Sequence, residues 1–302
     1  MGPLRTTDQL TRQFEAHRGH LQAVAYRMLG SLSEAEDAVQ EAWLRFNRTD
    51  TSDVENLGGW LTTVVSRVAL DMLRSRSLRP EAFLDTHVPD PIVILPGTGG
   101  PGAGDPEREA MVTDDVGIAL DVVLETLAPP ERVAFVLHDM FGVPFDAVAE
   151  IVGRTPDATR KLASRARQRV QGAAPVPDKN VNRQRKAVDA FFAAAREGDF
   201  DALVAVLDPD VVLRSDAGVG RPATLLVRGA STVAGQALTT RPRGTVHPVL
   251  VNGGAGVVVL VEGRVVTISA FTVVDGTIVQ IDVLQDPDRL AALPLPPGLY
   301  PR

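Results

Sequence analysis

The sequence predicts a multidomain protein in which two all-α domains are followed by an α+β domain shaped as a cone. Three observations predict it. Apolar residues recur at helical spacing through residues 8–79 and again through 115–172. Stretches rich in Pro and Gly break that pattern at 80–114, expected to be a flexible linker, and at 173–181, a second linker. From 182 to 302, short helices give way to runs of β-branched residues, which suit helices packed on a twisted antiparallel sheet.

The first helix is expected from about Leu10 to Leu29 and ends at Gly30. The second opens with Ser33 and Glu36, spaced as a capping box. Its apolar stripe is Ala35, Ala38, Val39, Ala42, Trp43 and Phe46, while Asp37, Gln40, Glu41 and Arg48 point away from it. Leu44 lies stranded in that polar face, as on a docking surface. A polar loop, Asn47–Gly59, leads into a long helix. There Leu61, Val64, Val65, Val68 and Met72 are expected inside, with Thr63, Ser66, Arg67 and Arg74 outside. The helix ends in a basic cluster of Arg74, Arg76 and Arg79.

The first linker contains Gly97–Gly102, GTGGPG, which literally matches a dinucleotide-binding fingerprint. Pro96 breaks the strand-to-loop step, and Pro101 and Asp105-Pro106 stand where the phosphate-binding helix should begin, so the stretch reads as linker. No Walker A sequence is present and no nucleotide hydrolysis is expected. Helices resume at 115–127, with Val116, Leu120, Val123, Leu124 and Leu127 in register, and then from Pro129 through His138.

The next pair of helices carries the strongest local signal. Phe145, Val148, Ala149 and Val152 make one apolar stripe, and Gly153 suits a left-handed helix end. Thr155 is a good N-cap, Pro156 suits the first helical position, and Asp157 faces the positive end of the dipole. On the second helix Leu162, Ala166 and Val170 are expected to be buried. Arg160, Lys161, Ser164, Arg165, Arg167 and Gln168 form the opposite face. Two helices, a tight Gly turn and a basic outer face describe a helix-turn-helix that reads DNA.

Charge supports this reading. The formal net charge is −7, yet the basic residues crowd into 153–186 while 81–152 is strongly acidic. A cationic block in an acidic chain attracts phosphate locally. There is no cysteine, which removes disulfides, thiol chemistry and Cys-ligated zinc. The five histidines, His17, His20, His87, His138 and His247, are scattered, so no metal site and no cofactor is expected. With no signal peptide and no apolar run near ~20 residues, a cytoplasmic protein without membrane contact is expected.

Beyond 181, helices are expected at about 183–196 and 200–207. Strands are expected at Val211–Arg214, Pro248–Val251, Val257–Glu262, Arg264–Val274 and Thr277–Leu284, the last two joined by the turn Asp275-Gly276.

Three segments occur in order: DAVQEAWLRFNR, then NLGGWLTTVVSRVALDMLR, then LAPPERVAFVLHDMFGVPFDAVAEIVGRTPDATRKLASRARQRV. Together they resemble the two sigma domains of extracytoplasmic-function (ECF) sigma factors of the sigma-70 family. The resemblance covers 8–79 (sigma domain 2) and 115–172 (sigma domain 4). It implies a promoter-specificity subunit of RNA polymerase, without catalysis of its own, that directs transcription initiation. Asp37, Gln40, Glu41, Leu44 and Arg45 then dock on the beta-prime clamp of core polymerase, and the beta flap is the other expected contact. Asn47, Asn56, Trp60, Arg67 and Arg74 hold the unstacked −10 strand. Thr155, Asp157, Arg160, Lys161, Ser164, Arg165 and Arg167 serve the −35 duplex, where an Arg can pair with a guanine edge.

The tail, 182–302, resembles a SnoaL-like domain of the nuclear-transport-factor-two (NTF2-like) superfamily, which points to the SigJ-type subgroup. In that subgroup the fused tail, rather than a separate anti-sigma partner, is thought to regulate activity. HVPDPI (His87–Ile92, with Pro89 and Pro91) is similar to the subgroup's linker stretch. DAGVG (Asp216–Gly220) keeps Asp216 and Gly218 of an early tail motif, and DPDRL (Asp286, Pro287, Asp288, Arg289, Leu290) matches a late one. Regulatory contacts are expected among these, including pairing of Arg221 and Arg289 with Asp85 and Asp90. A small-molecule ligand in the C-terminal domain is a further candidate partner. Two other readings compete. One is a ligand-sensing helix-turn-helix regulator that does not act as a sigma subunit, which leaves 33–79 unexplained. The other is an enzyme-like tail using Asp216, His247 or Asp282 as acid or base.

Overall fold

The computed structural model describes residues 7–51, 53–77, 86–96, 117–218, 221–240 and 244–299. These form two compact units. One comprises residues 7–77 and 123–173, the other 86–96, 117–122 and 174–299.

The first unit is helical. α1 (Thr7–Leu29), α2 (Leu32–Arg48) and α3 (Leu57–Ser77) enclose Phe14, Leu21, Tyr26, Phe46, Leu61 and Leu70, all buried. Trp43 meets Phe14 edge-on at 5.2 Å between ring centroids. Gly30 ends α1 at φ 71°, its N–H donating to Tyr26 O at 2.7 Å. The N-cap of α2 is Ser31, not Ser33. Ser31 is extended (φ −126°, ψ 130°) and its hydroxyl accepts from Glu34 N–H at 3.5 Å, so the Ser-x-x-Glu spacing holds two residues earlier than expected. Ser66, expected outside, is fully buried with its hydroxyl unbonded among the described residues. Arg76 also turns inward, donating to Leu29 O (3.2 Å) and Glu34 Oε2 (2.5 Å). Arg79 lies outside the described residues.

After α4 (Gly117–Glu125), α5 (Pro129–Phe135) runs into a π-helical turn (Val136–Met140), and α6 (Phe145–Val152) and α7 (Pro156–Ala173) follow. Gly153 takes φ 68°, ψ 44° between α6 and α7, a left-handed turn that costs a side-chain-free residue little. The buried positions of α7 are Thr159, Ala163 and Ala166. Leu162 and Val170 are only half-buried, since the small side chains let α7 approach its neighbours closely. Glu125 accepts from Arg132 Nη2 at 2.8 Å and lies 3.6 Å from Arg76 Nη1.

The second unit is an α+β cone. α8 (Val181–Glu197), α9 (Phe200–Ala205) and α10 (Ala230–Thr239) pack on a seven-stranded sheet. Its strands are β1 (Val93–Ile94), β2 (Leu207–Asp216), β3 (Leu225–Arg228), β4 (Thr245–Val251), β5 (Gly254–Val261), β6 (Arg264–Val274) and β7 (Thr277–Leu284), in the order β1-β4-β5-β6-β7-β2-β3. Only β2 and β7 run parallel. Val188 and Phe191 of α8 join Val257, Phe271 and Ile281 in the core. Asp275 (φ 50°) and Gly276 (φ 81°) make the β6–β7 turn, both left-handed, as hairpin twist favours. A short helix, α11 (Pro287–Ala292), follows β7.

Both expected linkers are partly built into this unit. Asp178 accepts from the N–H groups of Asp275 (3.1 Å) and Gly276 (3.0 Å). Residues 86–96, part of the expected flexible linker, are seated on the sheet, with Val93 and Ile94 paired antiparallel to Val251 and Leu250 of β4. The GTGGPG stretch and Asp85 lie outside the described residues.

Candidate functional site

Burial of Ala35, Ala38, Val39, Ala42 and Phe46 leaves the other side of α2 open. Asp37, Gln40, Leu44 and Arg45 are exposed there, Leu44 at 39%. Glu41 is half-buried and accepts from Arg45 Nε at 2.9 Å. The structure thus brings these five residues to one helix.

Asn47 is exposed at the end of α2. Asn56 caps α3, its side-chain oxygen accepting from Gly59 N–H at 2.9 Å and its carbonyl from Trp60 N–H at 3.1 Å. Trp60 is half-buried, 6.1 Å from Phe46 between ring centroids. Arg67 and Arg74 are exposed, with Arg74 3.5 Å from Asp71. His20, at 3.1 Å from Thr62 Oγ1, has its pKa lowered by burial and then by the neighbouring His17.

On α7, Thr155 Oγ1 accepts from Ala158 N–H at 3.3 Å, the expected cap. Asp157 accepts from Arg160 Nη1 at 2.5 Å, and Arg160 sits over the Phe145 ring, 5.6 Å from its centroid. Arg160, Lys161, Ser164 and Arg165 are exposed on one face. Arg165 also lies 3.4 Å from Glu131. Arg167 differs from the expected open face, because Asp139 holds its guanidinium, with Nε at 2.8 Å.

In the second unit, Arg289 latches residues 86–96. Its Nη1 donates to Asp216 Oδ2 (2.8 Å), its Nε to Asp90 Oδ1 (3.0 Å) and its Nη2 to Val88 O (2.6 Å). Val88 N–H and His87 Nδ1 also reach Asp216 Oδ2, at 3.1 and 3.2 Å. Burial pushes the Asp216 carboxyl up. The His87 hydrogen bond, the Val88 N–H and the charges of Arg289 and His87 together outweigh it and bring it down to about 2. Pro89 and Pro91 are buried beside these contacts, and so is Leu290. Asp286 caps α11, accepting from Asp288 N–H (2.9 Å) and Arg289 N–H (3.2 Å), so Arg289 is aimed by its own cap; Pro287 and Asp288 are exposed. Gly218, at φ 97°, leaves room for Asp286, since a Cβ there would fall 2.7 Å from Asp286 Oδ2.

Sequence reasoning missed Asn252. Its side-chain oxygen accepts from Ile92 N–H (2.8 Å), its N–H donates to Ile92 O (2.9 Å), and its Nδ2 donates to Asp121 Oδ2 (2.9 Å). The readable signal was Asn252-Gly253, a hairpin dipeptide whose Asn takes φ 47°.

A cavity of about 610 Å³ opens on the helix-covered face of the sheet. Leu213, Ser215, Ser269, Phe271, Ile281 and Val283 line it. Asp216 and Asp282 each sit one residue out of phase with these, so pleating turns them to the other face. His247 pairs with Val258, also out of phase with the cavity-lining Val259. None of the three acid–base candidates therefore faces the cavity. Asp282 is instead bonded to Arg214 Nη1 (2.5 Å) and Gln280 Nε2 (2.7 Å), its pKa raised by burial against both. No group of His, Cys, Asp and Glu among the described residues could hold a metal ion, and no described helix is long and apolar enough to cross a membrane.

Residues 13–79 match the family described as Sigma-70 region 2, and residues 118–170 match Sigma-70, region 4. The chain is 40% identical to the ECF RNA polymerase sigma factor SigJ of Mycobacterium tuberculosis, over 94% of both chains. It is 34% identical to the probable ECF RNA polymerase sigma factor SigI of the same organism, over 95% of this chain and 96% of that one. The crystal structure of M. tuberculosis SigJ superposes with a TM-score of 0.75 at 38% identity, covering 95% of this chain and all of the other. With the two sigma-70 regions matched in order and relatives matched nearly end to end, the chain belongs to the ECF RNA polymerase sigma factors of the sigma-70 family.

Proposed function

We propose that the chain binds core RNA polymerase and directs it to promoters, and that its own C-terminal domain regulates it through residues 86–96. The carrying observation is that the helical core leaves open the two faces such a subunit needs. One is the Asp37–Leu44 face of α2, and the other is the Arg160–Arg165 face of α7. The α2 face suits the beta-prime clamp, with Leu44 as its apolar centre, and the domain bearing α7 suits the beta flap. Asn47, Asn56, Trp60, Arg67 and Arg74 support capture of the −10 strand, the ring by stacking and the guanidinium groups by phosphate contact. Arg160, Lys161, Ser164 and Arg165 support reading of the −35 duplex, where base contacts specify and phosphate contacts position. Thr155 and Asp157 order the helix start that enters the groove. Arg289, Asp216, Asp90 and Asn252 support the regulatory role, because they fix the segment that joins the two promoter-reading domains.

Transcription with purified core polymerase on a promoter library tests this, comparing the full chain with one ending near Asn180. Sequence-dependent initiation by both, at different levels, is the expected result. DNA binding without any core-polymerase binding would instead leave an ordinary regulator.

A further inference from the structure

We propose that the C-terminal cavity is a binding site for an uncharged, largely apolar small molecule that it holds without transforming. Its volume, about 610 Å³, lies in the range of ~300–1,000 Å³ typical of small-molecule sites. Phe191, Phe192, Val233, Phe271 and Ile281 supply apolar walls from helices and sheet alike. No Asp, Glu, Lys, Arg or His lines it among the described residues. A carboxylate or ammonium group brought inside would lose its water and find no counter-charge, which selects against ions.

Of the polar side chains that line the cavity, Ser215, Gln236, Thr240, Thr267, Ser269 and Gln285, the two serines are the buried ones. Ser215 and Ser269 both stand opposite Val283, one on each side of β7, and all three line the cavity. Both serines are 7% exposed, and neither hydroxyl has a hydrogen-bond partner among the described residues. A hydroxyl in that state is a donor and acceptor waiting for a polar atom. Two of them flanking an apolar strip suit a molecule with one or two hydroxyl or carbonyl oxygens on an otherwise hydrocarbon body. Acid–base turnover is not supported, since Asp216, His247 and Asp282 belong to the opposite face. The exposed residues Ala223, Thr240 and Val266 (38% exposed) mark the mouth.

The test uses the full chain and Nile red, an uncharged fluorescent probe. Saturable enhancement at one probe per chain is expected. Octan-1-ol should displace the probe at a concentration at least tenfold below that needed by octanoate, which has the same chain length and a charge. Ala237→Trp, which fills the cavity, should weaken probe binding at least tenfold. Val266→Trp, at the exposed mouth, does the same at a position where folding is tolerant; unchanged far-UV circular dichroism checks both. Ser215→Ala with Ser269→Ala should keep Nile red but raise the octan-1-ol midpoint about fivefold or more. Non-saturable binding, binding indifferent to both Trp variants, or equal displacement by octanoate would overturn the assignment.

Discussion

Replacing Arg289 by Leu should make residues 86–96 open from the sheet more often, since Asn252 and the β1–β4 pairing remain. The side chain of Arg289 is 23% exposed, and those of Asp90 and Asp216 are 9%. Exposed ion pairs contribute only ~0–1 kcal/mol, whereas breaking a buried pair costs ~3–5 kcal/mol because a charge is left without its partner. Discounting for the partial exposure of Arg289 gives about 2–4 kcal/mol. Asp216 offers an independent gauge. Its carboxyl at about 2, against an ordinary 3.8, corresponds to about 2 kcal/mol left to its anchors after the opposing effect of burial. His87 and the Val88 N–H remain after the substitution, so the Asp90 side of the latch must account for much of the loss.

Global melting would blur this local event across two units, so amide exchange is the better assay. Val88 N–H donates to Asp216 and Ile92 N–H to Asn252, and both report on the segment directly. At 1.4 kcal/mol per factor of ten, exchange at both should accelerate about 30- to 700-fold in Arg289→Leu. Asp90→Asn combined with Arg289→Leu should cost less than the sum of the two single changes. Exchange altered by less than threefold in Arg289→Leu, or strictly additive effects, would refute the latch. If the latch regulates, the variant must also change transcription. Unchanged initiation, from it and from a chain lacking 285–302, would leave the tail without a regulatory role.

Acid should open the same segment. The folded-state pKa of Asp216 is depressed, so its stabilisation is full above about pH 4 and is lost as pH falls toward about 2; Asp216→Asn should flatten that dependence in exchange corrected for intrinsic rates. Gly30→Ala should lower the unfolding midpoint of the helical unit. The left-handed backbone costs ~1–2 kcal/mol for a residue with a Cβ, and that Cβ would overlap Glu125 Oε1. Arg160→Ala or Arg165→Ala should cost about 1–3 kcal/mol of promoter binding and relax one −35 position. Arg167→Ala, whose guanidinium is tied to Asp139, should change no base preference. Asp37→Lys should weaken core-polymerase binding in a pull-down at an unchanged melting temperature, since Asp37 is exposed.

Local chemistry was legible wherever one residue type settles a backbone state. Gly153, Thr155 and Pro156 placed the α6–α7 turn, and Asp275-Gly276 placed the last hairpin with both strands bounded as expected. Periodicity was less informative where tertiary packing chooses between neighbouring stripes. Leu162 and Val170 outrank Thr159 and Ala163 in hydrophobicity, yet α7 buries the smaller pair because close approach matters more than side-chain area. Ser66 went astray for a related reason, since it reads as surface in its own helix and is fully buried, while Arg76 of the expected basic cluster donates to Leu29 O of α1. β1 has two residues and β3 four, too short for alternation to show. The latch was anticipated from motif resemblance, but its strength was not. Arg289 and Asp90 look like ordinary surface charges until Pro89, Pro91 and Ile92 are seen buried around them.

The cavity and the latch occupy opposite faces of the same strands, and pleating is what joins them. Ser215 lines the cavity while Asp216, the next residue, holds Arg289. On the other side Gln285 lines the cavity while Asp286 caps the helix that aims Arg289. The Gln285 N–H donates to Asp216 O at 2.7 Å, tying the two strand ends together. A displacement that parts the two strand ends as it widens the cavity would therefore also change the separation of Asp216 from Arg289, with no contact between ligand and latch. The size of that coupling is bounded. A ligand shifts the latch only by the ratio of its affinities for latched and released states, so one that binds both equally leaves it untouched however tightly it binds. Against an Arg289 contribution of about 2–4 kcal/mol, a 100-fold preference for the released state, about 2.7 kcal/mol, is of the same size and offsets much of what Arg289 supplies.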